Sequence, residues 1–137
     1  MSESNLKSFN HLKIHSQYSI CEGALKIDTL RDKAKDLKIK SLGLCDTSNL
    51  CGAIEFSEKI SKIGTQPIIG TQINFKFEDT IGLLPLFALN EKGYKKIIDL
   101  SSKSYLDNDE VSDPHIKIND LLESENSGIS IFSGTVF

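Results

Sequence analysis

The feature that most constrains this chain is a repeated change of hydrophobic period. Short runs that are apolar on both faces alternate with longer stretches whose apolar residues recur at helical spacing. "KSLGLCD" (40–46), "QPIIGTQINFKF" (66–77), "IGLLPLFALN" (81–90) and "GISIFSG" (128–134) belong to the first kind. Between them, Ile27, Leu30, Ala34 and Leu37 recur at the spacing of one helix face, and "GAIEFSEKISKI" (52–63), "EKGYKKIIDLSSKSYL" (91–106) and "KINDLLESE" (117–125) read as further helices. A strand that is apolar on both faces needs cover on both, which alternating helices supply. The pattern predicts an α/β fold built on a mainly parallel sheet.

Local signals set the boundaries. Asp28 and Asp32 lie early in the first helix and Lys35 and Lys38 late, as the helix dipole prefers. "TSN" (47–49) offers N-cap residues for a helix beginning near Leu50, and Gly64 ends it. Pro67 opens a strand where its missing N–H does least harm. Gly93 is expected to weaken the first turn of its helix. "DNDEVSDPH" (107–115) reads as a polar loop, and "HLKIH" (11–15) as a short strand that feeds a turn at "SQYS" (16–19). The first nine residues read as a flexible N-terminus, and the rest of the 137 as a single domain segment that stops after a strand, as if inside a larger domain.

Composition narrows the function. With 16 basic against 19 acidic residues the net charge is −3, which lacks the basic excess that draws a protein onto a phosphate backbone. No run approaches the ~20 apolar residues that span a bilayer, and the polar start "MSESNLKSFN" has no signal-peptide core. A cytoplasmic location without a membrane role is expected. Cys21, Cys45 and Cys51 form no C-x-x-C pair and read as small buried thiols.

Ligands of α/β folds collect beyond the carboxyl ends of parallel strands. His15 ends the first strand, Asp46 the second, and Gln72 lies in the third, so the three can converge. Ser16, Tyr18 and Ser19 could cradle a phosphate there, although hydroxyls after a strand more often cap the next turn. His15 and Asp46 are expected to form a polar pair, bonded to each other or to Lys13. His115, beside Pro114, reads as solvated.

The order "HLKIHSQYS", "LGLCDTSNLCGAIEF", "GTQPIIGTQINF", "LFALNEKGYKKIIDLSSKSY" and "GISIFSG" resembles the polymerase-and-histidinol-phosphatase (PHP) domain found at the N-terminus of bacterial DNA polymerase III alpha subunits. The likeness implies the β/α, TIM-like barrel of that family, with this chain supplying its first half. Metal-binding members carry H-x-H at the first strand, Asp-His at the second and a glutamate in the third. At those positions this chain has Lys13 and His15, then Asp46 and Thr47, then Gln72. His15 and Asp46 are therefore remnants of a metal site, and Lys13, Thr47 and Gln72 replace its other ligands. An ammonium ~4 Å from a divalent cation is disfavoured by roughly 8 kcal/mol at an effective dielectric of about 20, so Lys13 reads as a substitute for a cation.

The resemblance implies a catalytically inactive platform within a replicative polymerase, docking the proofreading exonuclease subunit and other replisome subunits. It implies no cofactor for this segment, Mg2+ for a polymerase site elsewhere in the parent chain, and DNA contact only through that parent. The rival is a metal-dependent phosphoesterase or 3′–5′ exonuclease that uses His15 and Asp46 with ligands from outside the chain. A half barrel also leaves strand edges unpaired, so self-association is expected.

Overall fold

The structure, a computed structural model, describes residues 9–108, 111–122 and 128–132. The elements follow the predicted alternation: α1 (Ile27–Asp36), β1 (Ser41–Thr47), α2 (Ala53–Ser61), β2 (Gln66–Phe77), β3 (Thr80–Ala88), α3 (Glu91–Leu106), β4 (Ile116–Lys117), α4 (Ile118–Leu122) and β5 (Ile129–Ile131). Ile27, Leu30 and Ala34 are buried as their spacing requires, whereas Leu37 is the C-cap of α1 and stays exposed. The chain leaves α1 through Lys38 in the left-handed region, at φ 52°.

Among the described residues five strands form one sheet in the order β1-β2-β3-β5, with β4 pairing β2. β1 runs parallel to the first half of β2 from Ser41↔Gln66 to Thr47↔Gln72, with α2 as the crossover. β4 continues parallel to β2 further along, at Phe75↔Ile116. The α/β class is as expected, but parallel pairing does not predominate. β2 and β3 form an antiparallel hairpin from Gly70↔Phe87 to Phe77↔Thr80, and β5 lies antiparallel to β3. Only Glu78 and Asp79 separate β2 from β3, too few residues for a crossover, and Glu78 takes a φ of 54° to close the turn.

Residues 11–15 do not form the expected strand. Gly43 N–H donates to the His11 carbonyl at 2.7 Å and Cys45 N–H to the Ile14 carbonyl at 2.8 Å, so three steps along this segment match two along β1. The extra residue breaks the ladder as a bulge does. The Ile14 N–H bonds back to the Leu12 carbonyl at 3.2 Å, closing a tight turn over Lys13. Gly43 permits the close approach, since a Cβ there would lie 2.4 Å from the Leu12 carbonyl oxygen.

α2 begins at Ala53, three residues later than expected, and no side chain caps it. Asn49 closes the preceding turn instead, accepting from Cys51 N–H at 3.0 Å. In α3, Asn90 caps the Gly93 N–H at 3.0 Å. Gly93 does more than weaken a turn: a Cβ would lie 1.7 Å from the Gly128 carbonyl oxygen, which accepts from Leu89 N–H at 2.8 Å. The helix start thus packs directly on the backbone entering β5. The expected helix 117–125 is divided into β4 and α4, with its last three positions outside the described residues. Residues 1–8 of the expected flexible N-terminus, 109–110 of the loop and 133–134 of the last strand also lie outside them.

The core has two clusters. One gathers Ile27, Leu30 and Ala34 with Leu42, Leu44, Phe56 and Ile60; the other joins Ile73 and Leu86 to Ile97, Leu100, Ile116, Leu121 and Ile129. The carboxyl ends of β1 and the paired part of β2 lie together, and the loop 15–23 folds over them.

Candidate functional site

Asp46 is 1% exposed at the end of β1. Its Oδ1 accepts from Ser16 N–H at 2.6 Å and from the Ser19 hydroxyl at 2.6 Å, while Oδ2 accepts from the Ser16 hydroxyl at 2.7 Å. Both oxygens are thus engaged by donors from one turn of chain. That turn is itself closed by Ser19 N–H on the Ser16 carbonyl at 3.0 Å, and Tyr18 N–H donates to the Ser16 hydroxyl oxygen at 3.2 Å. Ser16 and Ser19 are buried because they pay for the burial of a carboxylate, which would otherwise cost several kcal/mol.

The expected His15–Asp46 pair is not formed. The His15 Nδ1 is buried without a hydrogen-bond partner among the described residues, and the Glu22 Oε2 is 3.9 Å away, too far for a hydrogen bond. Lys13 is exposed at its tight turn and makes no hydrogen bond or ion pair among the described residues. It still acts on the thiol of Cys45, which burial pushes up to about 12 against the opposing pull of the Lys13 charge.

Thr47 and Gln72 do come together. The Gln72 side-chain N–H donates to the Thr47 hydroxyl oxygen at 2.7 Å, and the Thr47 hydroxyl donates to Glu22. The direction of that chain fixes the amide orientation, which leaves the Gln72 Oε1 buried and unpaired. The backbone seals the same corner, with Ser48 N–H on the Gln72 carbonyl at 2.8 Å.

The loop is anchored to the helices through Tyr18. Its hydroxyl donates to Glu55 at 2.8 Å, Glu55 accepts from Lys59 at 2.7 Å, and Lys59 reaches Asp28 of α1 at 2.8 Å. The Lys59 ammonium, helped by the Tyr18 hydroxyl, holds Glu55 below the usual carboxylate range, and the bond to Glu55 raises the Tyr18 phenol. Glu22 escaped the sequence reading as a member of this cluster, its only local signal being its position in the loop that follows "HLKIH". Tyr18, which that reading groups with Ser16 and Ser19, bonds instead to Glu55.

His115 lies at the other end of the second core cluster, half-buried, with its Nδ1 2.8 Å from the Asp113 carbonyl. Of the three thiols expected to be buried, only Cys45 is, inside β1, whereas Cys21 and Cys51 sit in loops and are exposed.

The donor set does not fit a metal centre. The one buried carboxylate among the described residues already accepts three hydrogen bonds, Thr47 and Gln72 offer neutral oxygens, and Lys13 adds positive charge. Among the described residues no group of three or more His, Cys, Asp or Glu side chains is placed to hold an ion.

In fold, the chain is a mixed α/β unit that matches part of two larger solved structures. It is similar to a putative metal-dependent phosphoesterase from Bifidobacterium adolescentis (TM-score 0.56, 21% identity, 69% of this chain and 32% of that one). It is equally similar to an amidohydrolase from Chromobacterium violaceum (TM-score 0.57, 17% identity, the same coverages of 69% and 32%). The chain belongs to the PHP domain family, whose profile matches residues 11–137. Relatives include the DNA polymerase III alpha subunits of Caulobacter vibrioides (34% identical over 98% of this chain and 12% of that protein) and Helicobacter pylori (38% over 74% and 9%). The subunit of Rickettsia felis is 36% identical over 90% of this chain and 10% of that protein. The chain thus spans about a tenth of the length of these relatives. No described helix is long and apolar enough to cross a membrane.

Proposed function

We propose that this chain is the PHP portion of a replicative DNA polymerase III alpha chain and serves as a noncatalytic platform that docks the proofreading exonuclease subunit. In this reading it works in the cytoplasm, alongside other replisome subunits. DNA is handled by the rest of the parent chain, whose polymerase site uses Mg2+.

One observation carries the noncatalytic part: both Asp46 oxygens accept from Ser16 and Ser19, so the most buried acid of the strand-end cluster holds a loop in place. The alpha-subunit relatives support the replicative setting. A platform role suits such a cluster, since a charge bonded internally stiffens the turn without presenting a reactive group.

Metal analysis of the parent chain tests the reading. After equilibration with zinc or manganese and gel filtration, the expected outcome is no stoichiometric metal in this domain and no phosphoesterase or 3′–5′ exonuclease activity that a chelator removes. Stoichiometric metal with chelator-sensitive hydrolysis would establish the enzyme instead. The docking part is tested by measuring complex formation between the parent chain and the exonuclease subunit.

A further inference from the structure

The two core clusters meet between α2 and α3, above the first half of β2, and the seam is open. A furrow there has two lobes of about 320 and 260 Å³, which share Ile69 on the floor and Tyr94 on the α3 wall. Ile54 on the α2 side is 71% exposed and Leu89 beyond the end of β3 is 68% exposed. A cavity of about 150 Å³ admits a benzene-sized group, so each lobe has room for one or two large apolar side chains.

The rim supplies the charge. Among the described residues lining the furrow, the ionisable groups besides Tyr94 are Glu58 and Glu91, and no lysine or arginine is present. Among the described residues Glu58 has no ion pair and Glu91 meets Lys95 at 2.8 Å in an exposed pair, so Glu58 carries most of the net negative charge of the rim. An acidic rim repels nucleic acid and anionic lipid alike. It complements a protein segment that places apolar anchors beside basic side chains.

We infer that the α2–α3 furrow is the docking surface for a protein partner, entered by an apolar segment flanked by lysine or arginine. The inference rests on the platform reading above and names the surface that reading needs. Tyr94, shared by both lobes, is the central contact, tyrosine being one of the residue types enriched among interface hot spots. Ile54 and Leu89 extend the apolar contact to either side, while Glu58 and Glu91 select the charge of the partner.

The test uses the full alpha chain and the exonuclease subunit, with affinity measured by fluorescence anisotropy at several salt concentrations. Ile54→Lys and Tyr94→Ala are expected to weaken the complex at least about tenfold, and Glu58→Lys to weaken it while flattening its salt dependence. Lys33→Glu on α1, outside the furrow, leaves the affinity unchanged. Ile54 and Glu58 are exposed, so their variants keep the fold, and unchanged urea unfolding verifies this. No complex with the wild-type chain overturns the docking reading itself. A wild-type complex that the furrow variants leave intact overturns this inference alone. If Ile54→Lys instead turns a self-associated chain into a monomer while exonuclease affinity holds, the furrow joins two copies, and the inference fails.

Discussion

Replacing Asp46 tests whether that carboxylate is a structural hub. In Asp46→Ala the Ser16 N–H, which is fixed by the backbone, loses its acceptor in a buried place, at about 1–3 kcal/mol. The Ser16 and Ser19 hydroxyls can turn to other acceptors, and each gives up about 1 kcal/mol. Removing a buried charge returns part of this, since that charge was costly to desolvate. The net expectation is a loss of about 2–4 kcal/mol, large beside a total stability of about 5–15 kcal/mol. Asp46→Asn should cost about half as much. Its amide oxygen keeps the Ser16 N–H and Ser19 hydroxyl, and its NH2 group donates to a Ser16 oxygen that turns from donor to acceptor. Urea unfolding with an unchanged m-value is the assay. In the Asp46→Ala background Ser19→Ala should cost about 1 kcal/mol less than in the wild type, because its bond to Asp46 is already gone and only the acceptor for the Thr47 N–H, at 3.1 Å, remains to be lost. A loss below about 1 kcal/mol for Asp46→Ala, or full additivity with Ser19→Ala, would refute the reasoning.

Other features can be checked the same way. Gly43→Ala drives a methyl into the Leu12 carbonyl and Gly93→Ala one into the Gly128 carbonyl, so each should cost about 1–3 kcal/mol in urea unfolding, the second despite alanine's better propensity in helix α3. A thiol reagent should label Cys21 and Cys51 in the native protein and Cys45 only after denaturant is added, since Cys45 is buried with its thiol pushed up to about 12. Lys59 lowers the carboxyls of Asp28 and Glu55, so the stability these acids add is complete above their unfolded values and lost as pH falls through the folded ones. Lys59 is itself raised, so its share persists up to the unfolded lysine value and fades above it. The stability difference between wild type and Lys59→Met should therefore be greatest near neutral pH and shrink in both acid and alkali, which unfolding across pH will show.

Much of the fold was legible because helices and strands are local. The spacing of Ile27, Leu30 and Ala34 settles α1, and "SLGLCDT" settles β1, whatever surrounds them. The hairpin was also in reach, since two polar residues between apolar runs leave no room for a crossover. What misled was the apolar character of both runs, which is shared by parallel strands and by any strand with two covered faces. The bulge at Lys13 had a single signal, Gly43, and only its partner Leu12 gives that glycine a meaning.

The sequence by itself determined the alternation of elements, the net charge and the residue types available at the strand ends. It also carried the family likeness, which needs only order and spacing. Partners were decided by the tertiary structure. His15 and Asp46 stand at neighbouring strand ends, yet the carboxylate is bonded to Ser16 and Ser19 while Thr47 links Gln72 to Glu22. A hydrogen bond depends on tenths of an ångström and on the direction of each donor. Residues 30 positions apart acquire those only when the loop after Lys13 has folded back over the end of β1.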